Sequence, residues 1–178
     1  MKNIILTIEM IPASNFYNNV RSTVTKSQWD KIRKESYLTA NNICEICGDI
    51  GKNQGYKHNL ESHEIWSYNT KTKIQKLERL IALCPNCHLC KHIGRAFAIG
   101  KQSIVFTHLE KINNWNHKEV VTYLVECFKK HKENSKIEWK LNLTYLSEKY
   151  GINKLVASKG SKKKSKISYW KKTKKGGK

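Results

Sequence analysis

Two Cys-x2-Cys pairs, "CEIC" at Cys44 and Cys47 and "CPNC" at Cys84 and Cys87, limit the possible folds of this chain more than any other feature. Each pair can form a tight knuckle that presents two thiolates, and two knuckles brought together satisfy tetrahedral zinc completely. A closed site of this kind staples the chain and leaves no coordination position for a substrate, so any catalysis must lie elsewhere. It also points to a reducing compartment, where paired cysteines hold metals rather than disulfides. Cys90 and Cys127 have no such spacing and read as small buried hydrophobes.

Between the knuckles, "YKHNLESHEIWSYN" and "KIQKLERLIAL" have strand character and are separated by a polar turn around Thr70 and Lys71, which predicts a hairpin. From Cys87 onward, "HLCKHIGRAFAIG" contains no proline, and a helix is predicted over 87–99, stopped near Gly100. His88 and His92 lie four apart on that helix, on one face and one turn apart, where they can grip a single ion. Lys91 and Arg95 repeat the spacing on an adjacent face, either as phosphate contacts or as a solvated helix surface.

The flanks read less sharply. "KNIILTIEMI" is rich in β-branched residues and predicts a strand ended by Pro12, and "SQWDKIRKESYLTAN" predicts a helix over 27–41 with Ser27 as its cap. "NHKEVVTYLVECFKKHKEN" places Val120, Val121, Leu124, Cys127 and Phe128 on one side of a helix. "IEWKLNLTYLSEKYGI" alternates Trp139, Leu141 and Leu143 and is open to helix or strand. From Lys159 the lysine-dense "KGSKKKSKISYWKKTKKGGK" lacks the apolar groups to offset its ordering entropy and is expected to be a disordered tail. That tail serves either as a phosphate clamp, with Tyr169 and Trp170 for stacking, or as a solvated extension. The fold class expected is α+β: an N-terminal strand and helix over 1–43, a zinc-stapled core over 44–100, a packing extension over 101–158 and the tail over 159–178.

Lys and Arg number 34 against 14 Asp and Glu in 178 residues, a formal charge of +20, which calls for a polyanionic partner. Nucleic acid is the default, because phosphates and their condensed counterions reward many cationic contacts at once. An anionic membrane is the rival. No apolar run reaches the roughly 18 residues of a spanning helix, and "MKNIILTIEMI" lacks the form of a signal peptide, so a soluble cytoplasmic protein is expected.

The hairpin and helix framed by two knuckles, with "SHEIW" on the first strand and "LCPNCHLCKH" at the helix start, resemble the zinc-knuckle HNH endonucleases. The resemblance is most specific from Cys44 to Arg95, and the flanks look like those of small bacterial and phage members. It implies a ββα-metal core, structural zinc on Cys44, Cys47, Cys84 and Cys87, and a catalytic divalent ion (zinc, manganese, nickel or magnesium) on His88 and His92. The strand motif falls on Ser62, His63, Glu64 and Ile65 in two possible registers. In one, His63 is the third ligand and Glu64 the general base; in the other, His63 is the base and Ser62 replaces a ligand.

Arg79 stands where the family has its central Asn, and Arg cannot accept hydrogen bonds as that carbonyl does. Gln75 is a candidate to hold the loop in its place. The implied function is hydrolysis of DNA phosphodiester bonds; the alternative is an inactive zinc-stabilised nucleic-acid-binding module, and a third is a basic assembly protein that keeps the fold as scaffold. Trp66 and Tyr68 read as core anchors, with stacking on an unpaired base as the minor alternative.

Overall fold

The computed structural model describes residues 4–16 and 19–156; the lysine-rich tail, with Tyr169 and Trp170, lies outside the described residues. The helices are α1 (Val20–Thr23), α2 (Lys26–Thr39), α3 (Pro85–Lys91), α4 (Ile93–Ala98), α5 (Gln102–Asn113), α6 (His117–Asn134) and α7 (Thr144–Tyr150). The strands are β1 (Glu61–Asn69), β2 (Ile74–Leu83) and β3 (Lys140–Asn142), and short 3-10 turns occur at Ala13–Asn15 and Gly51–Gln54. The architecture is mixed α+β, with one three-stranded sheet in the order β1-β2-β3 among the described residues.

The hairpin is antiparallel and pairs His63 with Ile81 and Glu64 with Leu80, with a register shift between Ile65 and Trp66. β3 joins the other edge of β2 in parallel, Leu141 opposite Gln75, which resolves "IEWKLN" as a strand followed by the helix of "TYLSEKY". Two apolar clusters flank this sheet. One joins the carboxyl half of β2 (Ile81, Ala82, Leu83) to Cys90 and Ile93 and to Val105, Leu109, Val120 and Leu124 of α5 and α6. The other gathers Val20, Ile32, Trp66, Leu77, Leu80, Leu141 and Leu146. Trp66 is a core residue, and Tyr68 meets the Trp139 ring edge-on with centroids 5.1 Å apart.

Three sequence expectations change. Among the described residues the segment predicted as an N-terminal strand makes no ladder; its backbone N–H groups are met by side chains and, at Glu9, by the Lys91 carbonyl. Asn113 Oδ1 accepts from the N–H groups of Ile5 and Leu6 at 2.9 Å, its Nδ2 donates to the Leu6 carbonyl, and the Ile8 N–H donates to the Tyr123 hydroxyl. Leu6 and Ile8 are buried while Ile4 and Ile5 are exposed, so the segment anchors itself by packing Leu6 and Ile8, not by pairing. The helix predicted over 27–41 starts a residue earlier, because Thr25 and Gln28 form a reciprocal capping box ahead of Ser27. The helix predicted over 87–99 is two helices, α3 and α4, hinged at His92, whose φ of -104° and ψ of 53° are not helical.

Gly51 fixes how the loop after the first knuckle meets α3. A Cβ added there would stand 2.0 Å from the His58 carbonyl oxygen and 2.9 Å from Cδ of Pro85, the first residue of α3. Gly51→Ala is therefore expected to destabilise the fold by about 1–3 kcal/mol or more through backbone displacement. A thermal melt that overlays the wild-type curve would rule out this close approach.

Candidate metal centres

The two knuckles meet. Cys44, Cys47, Cys84 and Cys87 each offer a sulfur within 4.8 Å of the others, three of them buried and Cys47 half-buried, so the set could hold a structural ion such as zinc. The local reason lies in the start of α3: Cys84 is its cap, with Sγ accepting from the Cys87 N–H at 3.5 Å, and Pro85 occupies the first turn, where its missing N–H costs nothing. Gln54 donates to Cys84 Sγ at 3.2 Å, and His108 Nε2 lies 3.1 Å from Cys87 Sγ. Hydrogen bonds shared among the four sulfurs lower Cys44 to about 6 and depress Cys84 while raising Cys47 and Cys87, so without an ion the sulfurs share protons that a metal would displace. Cys90 is fully buried, its thiol pushed up to about 12 by burial, and Cys127 is half-buried.

A second cluster forms where β1 faces the α3–α4 hinge. His63, His88 and His92 each bring one ring nitrogen within 4.8 Å of the other two. Their rings are mutually edge-on, with centroids 4.6 Å apart for His88 and His92, 4.9 Å for His63 and His92 and 5.3 Å for His63 and His88. His63 is buried, and burial lowers its basicity; burial also pushes His92 down to about 3, with like-charge repulsion from its basic neighbours adding to it. Neutral imidazoles are the metal-binding form.

Two carboxylates stand behind these rings. Glu61 bonds His88 Nδ1 and also His58 Nε2, the latter at 2.8 Å; although burial raises it, the His88 hydrogen bond brings its carboxyl down to about 2. Glu9 reaches His63 Nε2 at 3.2 Å and Lys91 Nζ at 2.6 Å, and these two partners overcome burial to hold it at about 2. Sequence reasoning missed both. Glu61 had a signal, since it lies two residues before His63 and therefore on the same face of β1. Glu9 had none, because it arrives from a segment far away in the chain.

The remaining site residues fall in different places. Glu64 points to the opposite face of β1 from His63, where its carboxylate accepts the Val20 N–H at 2.6 Å at the start of α1. Strand pleating explains the separation: adjacent residues cannot share a face, and the register shift comes only after Ile65. Lys91 is buried against Glu9 and Thr7 rather than offered to solvent, whereas Arg95 is exposed and close enough to His92 for its charge to lower that imidazole. Arg79 pairs with Glu45 at 2.7 Å, and Glu45 also accepts the Ala82 N–H at 2.8 Å, so this pair ties the first knuckle to β2. Gln75 is buried and accepts from Asn15 Nδ2 at 2.8 Å, away from the histidines.

Glu64 carries a pH prediction. Burial pushes its carboxyl up to about 7 from an ordinary value of 4.5. A raised folded-state pKa means that the folded chain holds its proton longer, so this contribution is full below pH 4.5 and is lost as pH rises through about 7. Glu64→Gln, which keeps an acceptor for Val20, is expected to flatten stability against pH between 4.5 and 8. Urea titrations across that range with equal slopes for both proteins would refute the burial of an ionisable group here.

Among the described residues no helix is long and apolar enough to cross a membrane. No family model, curated protein or solved structure matches this chain, so the two centres rest on their own geometry.

Proposed function

We propose that the protein is a metal-dependent endonuclease that hydrolyses DNA phosphodiester bonds on an HNH-type ββα-metal core, with structural zinc at the four cysteines. The observation that carries this reading is the convergence of His63, His88 and His92, two of them backed by carboxylates, in a chain of charge +20. The donor set fits a divalent transition ion: three imidazoles suit zinc, manganese or nickel better than magnesium, which prefers oxygen. When bound, such an ion supplies Lewis acidity at a phosphate oxygen and a water activated near neutral pH.

The chain's own residues do the rest. His63, His88 and His92 hold the ion, and exposed Arg95 beside His92 contacts a non-bridging phosphate oxygen. Lysines elsewhere on the surface supply salt-sensitive affinity for the backbone. His63 is the catalytic residue of the strand motif, in its role as ligand; Glu64 braces α1 and is not assigned the base.

A second reading is an inactive zinc-stabilised module that binds nucleic acid without cutting it. It is favoured by Glu64 turning away from the histidines and by Arg79 standing in the family's Asn position, engaged with Glu45. Plasmid incubated with manganese, magnesium or nickel separates the two. Nicking or linearisation that His88→Ala abolishes supports the enzyme; retained binding with no cleavage under any metal supports the module.

A further inference from the structure

We propose that Glu9, anchored by Lys91, is the positioning carboxylate of the histidine centre: it fixes the proton of His63 on Nε2 and leaves Nδ1 as the nitrogen that binds the ion. This rests on the reading of that cluster as a metal centre. An ionised carboxylate only accepts hydrogen bonds, so at 3.2 Å from Glu9 Oε2 the ring nitrogen Nε2 must carry the hydrogen. The neutral imidazole then has one lone pair, at Nδ1. His88 shows the complementary case, with Glu61 on its Nδ1 and Nε2 left over. The two histidines are thus set in opposite tautomers.

Glu9 is held firmly enough to impose this. Its other oxygen receives Lys91 Nζ at 2.6 Å, Lys91 Nζ also donates to Thr7 Oγ1 at 2.7 Å, and the Glu9 N–H donates to the Lys91 carbonyl at 3.2 Å. The side chains of Lys91 and His63 are each only 4 % exposed and that of Glu9 25 %, so both donors face the carboxylate from the interior while solvent reaches Glu9 only in part. A buried lysine facing a single carboxylate is costly to retain without a purpose. Here it keeps Glu9 charged and aimed. The N-terminal segment, tied down through Asn113 and Tyr123, is therefore a working part of the centre.

The test is long-range proton–nitrogen NMR on histidine-labelled, zinc-containing protein before any second ion is added, followed by cobalt titration. In the wild type His63 is expected as the Nε2–H tautomer. Glu9→Gln has a single acceptor oxygen, which Lys91 Nζ claims, so its amide NH2 is turned to His63 Nε2 and moves that ring's proton to Nδ1, whereas Glu9→Ala leaves a mixture; both are expected to bind cobalt about 10–100-fold more weakly. His63 found with its proton on Nδ1 in the wild type, or Glu9→Ala with unchanged tautomer and cobalt affinity, overturns the proposal. Should Glu9→Ala fail to fold, the wild-type tautomer alone decides. A wild type that takes no second ion removes both this proposal and the nuclease reading, while one that takes it in the expected tautomer and cuts nothing removes only the nuclease.

Discussion

If the four cysteines hold zinc as proposed, Cys84→Ser is expected to lose that ion and the cooperative thermal transition with it. Cys84 is fully buried, its sulfur caps α3, receives Gln54 and lies 3.5 Å from Cys47 Sγ, so it is the point at which the first knuckle meets the helix that carries His88. Apparent binding energies of structural zinc, about 10–16 kcal/mol in small zinc-dependent folds, are as large as the whole stability of a typical domain, about 5–15 kcal/mol. Removing one of four sulfurs leaves an incomplete site, with Cys44 and Cys87 buried and Cys47 half-buried. Metal analysis should show one zinc fewer per chain, and the melt should broaden or disappear; chelator added to the wild type should do the same. A Cys84→Ser protein with full zinc content and an unshifted melt would sink the structural site.

His88→Ala tests the second centre with a different signature. The side chain is 15 % exposed at the edge of the cluster, so its loss is expected to move the melting temperature by only a few degrees while removing the second ion. If the ion supplies several kcal/mol of transition-state stabilisation, plasmid cleavage falls by about three orders of magnitude. On the proposed reading, in which the basic surface supplies affinity, DNA binding measured at the same salt should change little. Cleavage by His88→Ala at the wild-type rate would exclude this centre.

Which of these features could be read beforehand follows from the range over which each is determined. Cys-x2-Cys and His-x3-His are local: ligand spacing within one turn or one knuckle is set by backbone geometry, so the chain announces them wherever it folds. The alternation in "SHEIW" announces a strand as well, but not which face would be turned to the histidines, since that depends on what packs against each side. Burial decides that Glu64 meets α1 and His63 meets α3. Lys91 shows the same limit. Its helix position is legible, yet its solvation depends on whether an acidic partner arrives from elsewhere, and Glu9 does.

The sequence by itself determined the four-cysteine set, the His88–His92 pair, the hairpin between the knuckles and the charge of +20. Only the tertiary structure decided that the N-terminal segment, over its described residues, forms no strand and delivers a carboxylate, that the helix carrying His88 breaks at His92, and that β3 joins the sheet in parallel. The physical reason is separation along the chain: contacts between Glu9 and His63 or Lys91 depend on how the two cores and the helices around them settle together, and no local pattern encodes that outcome.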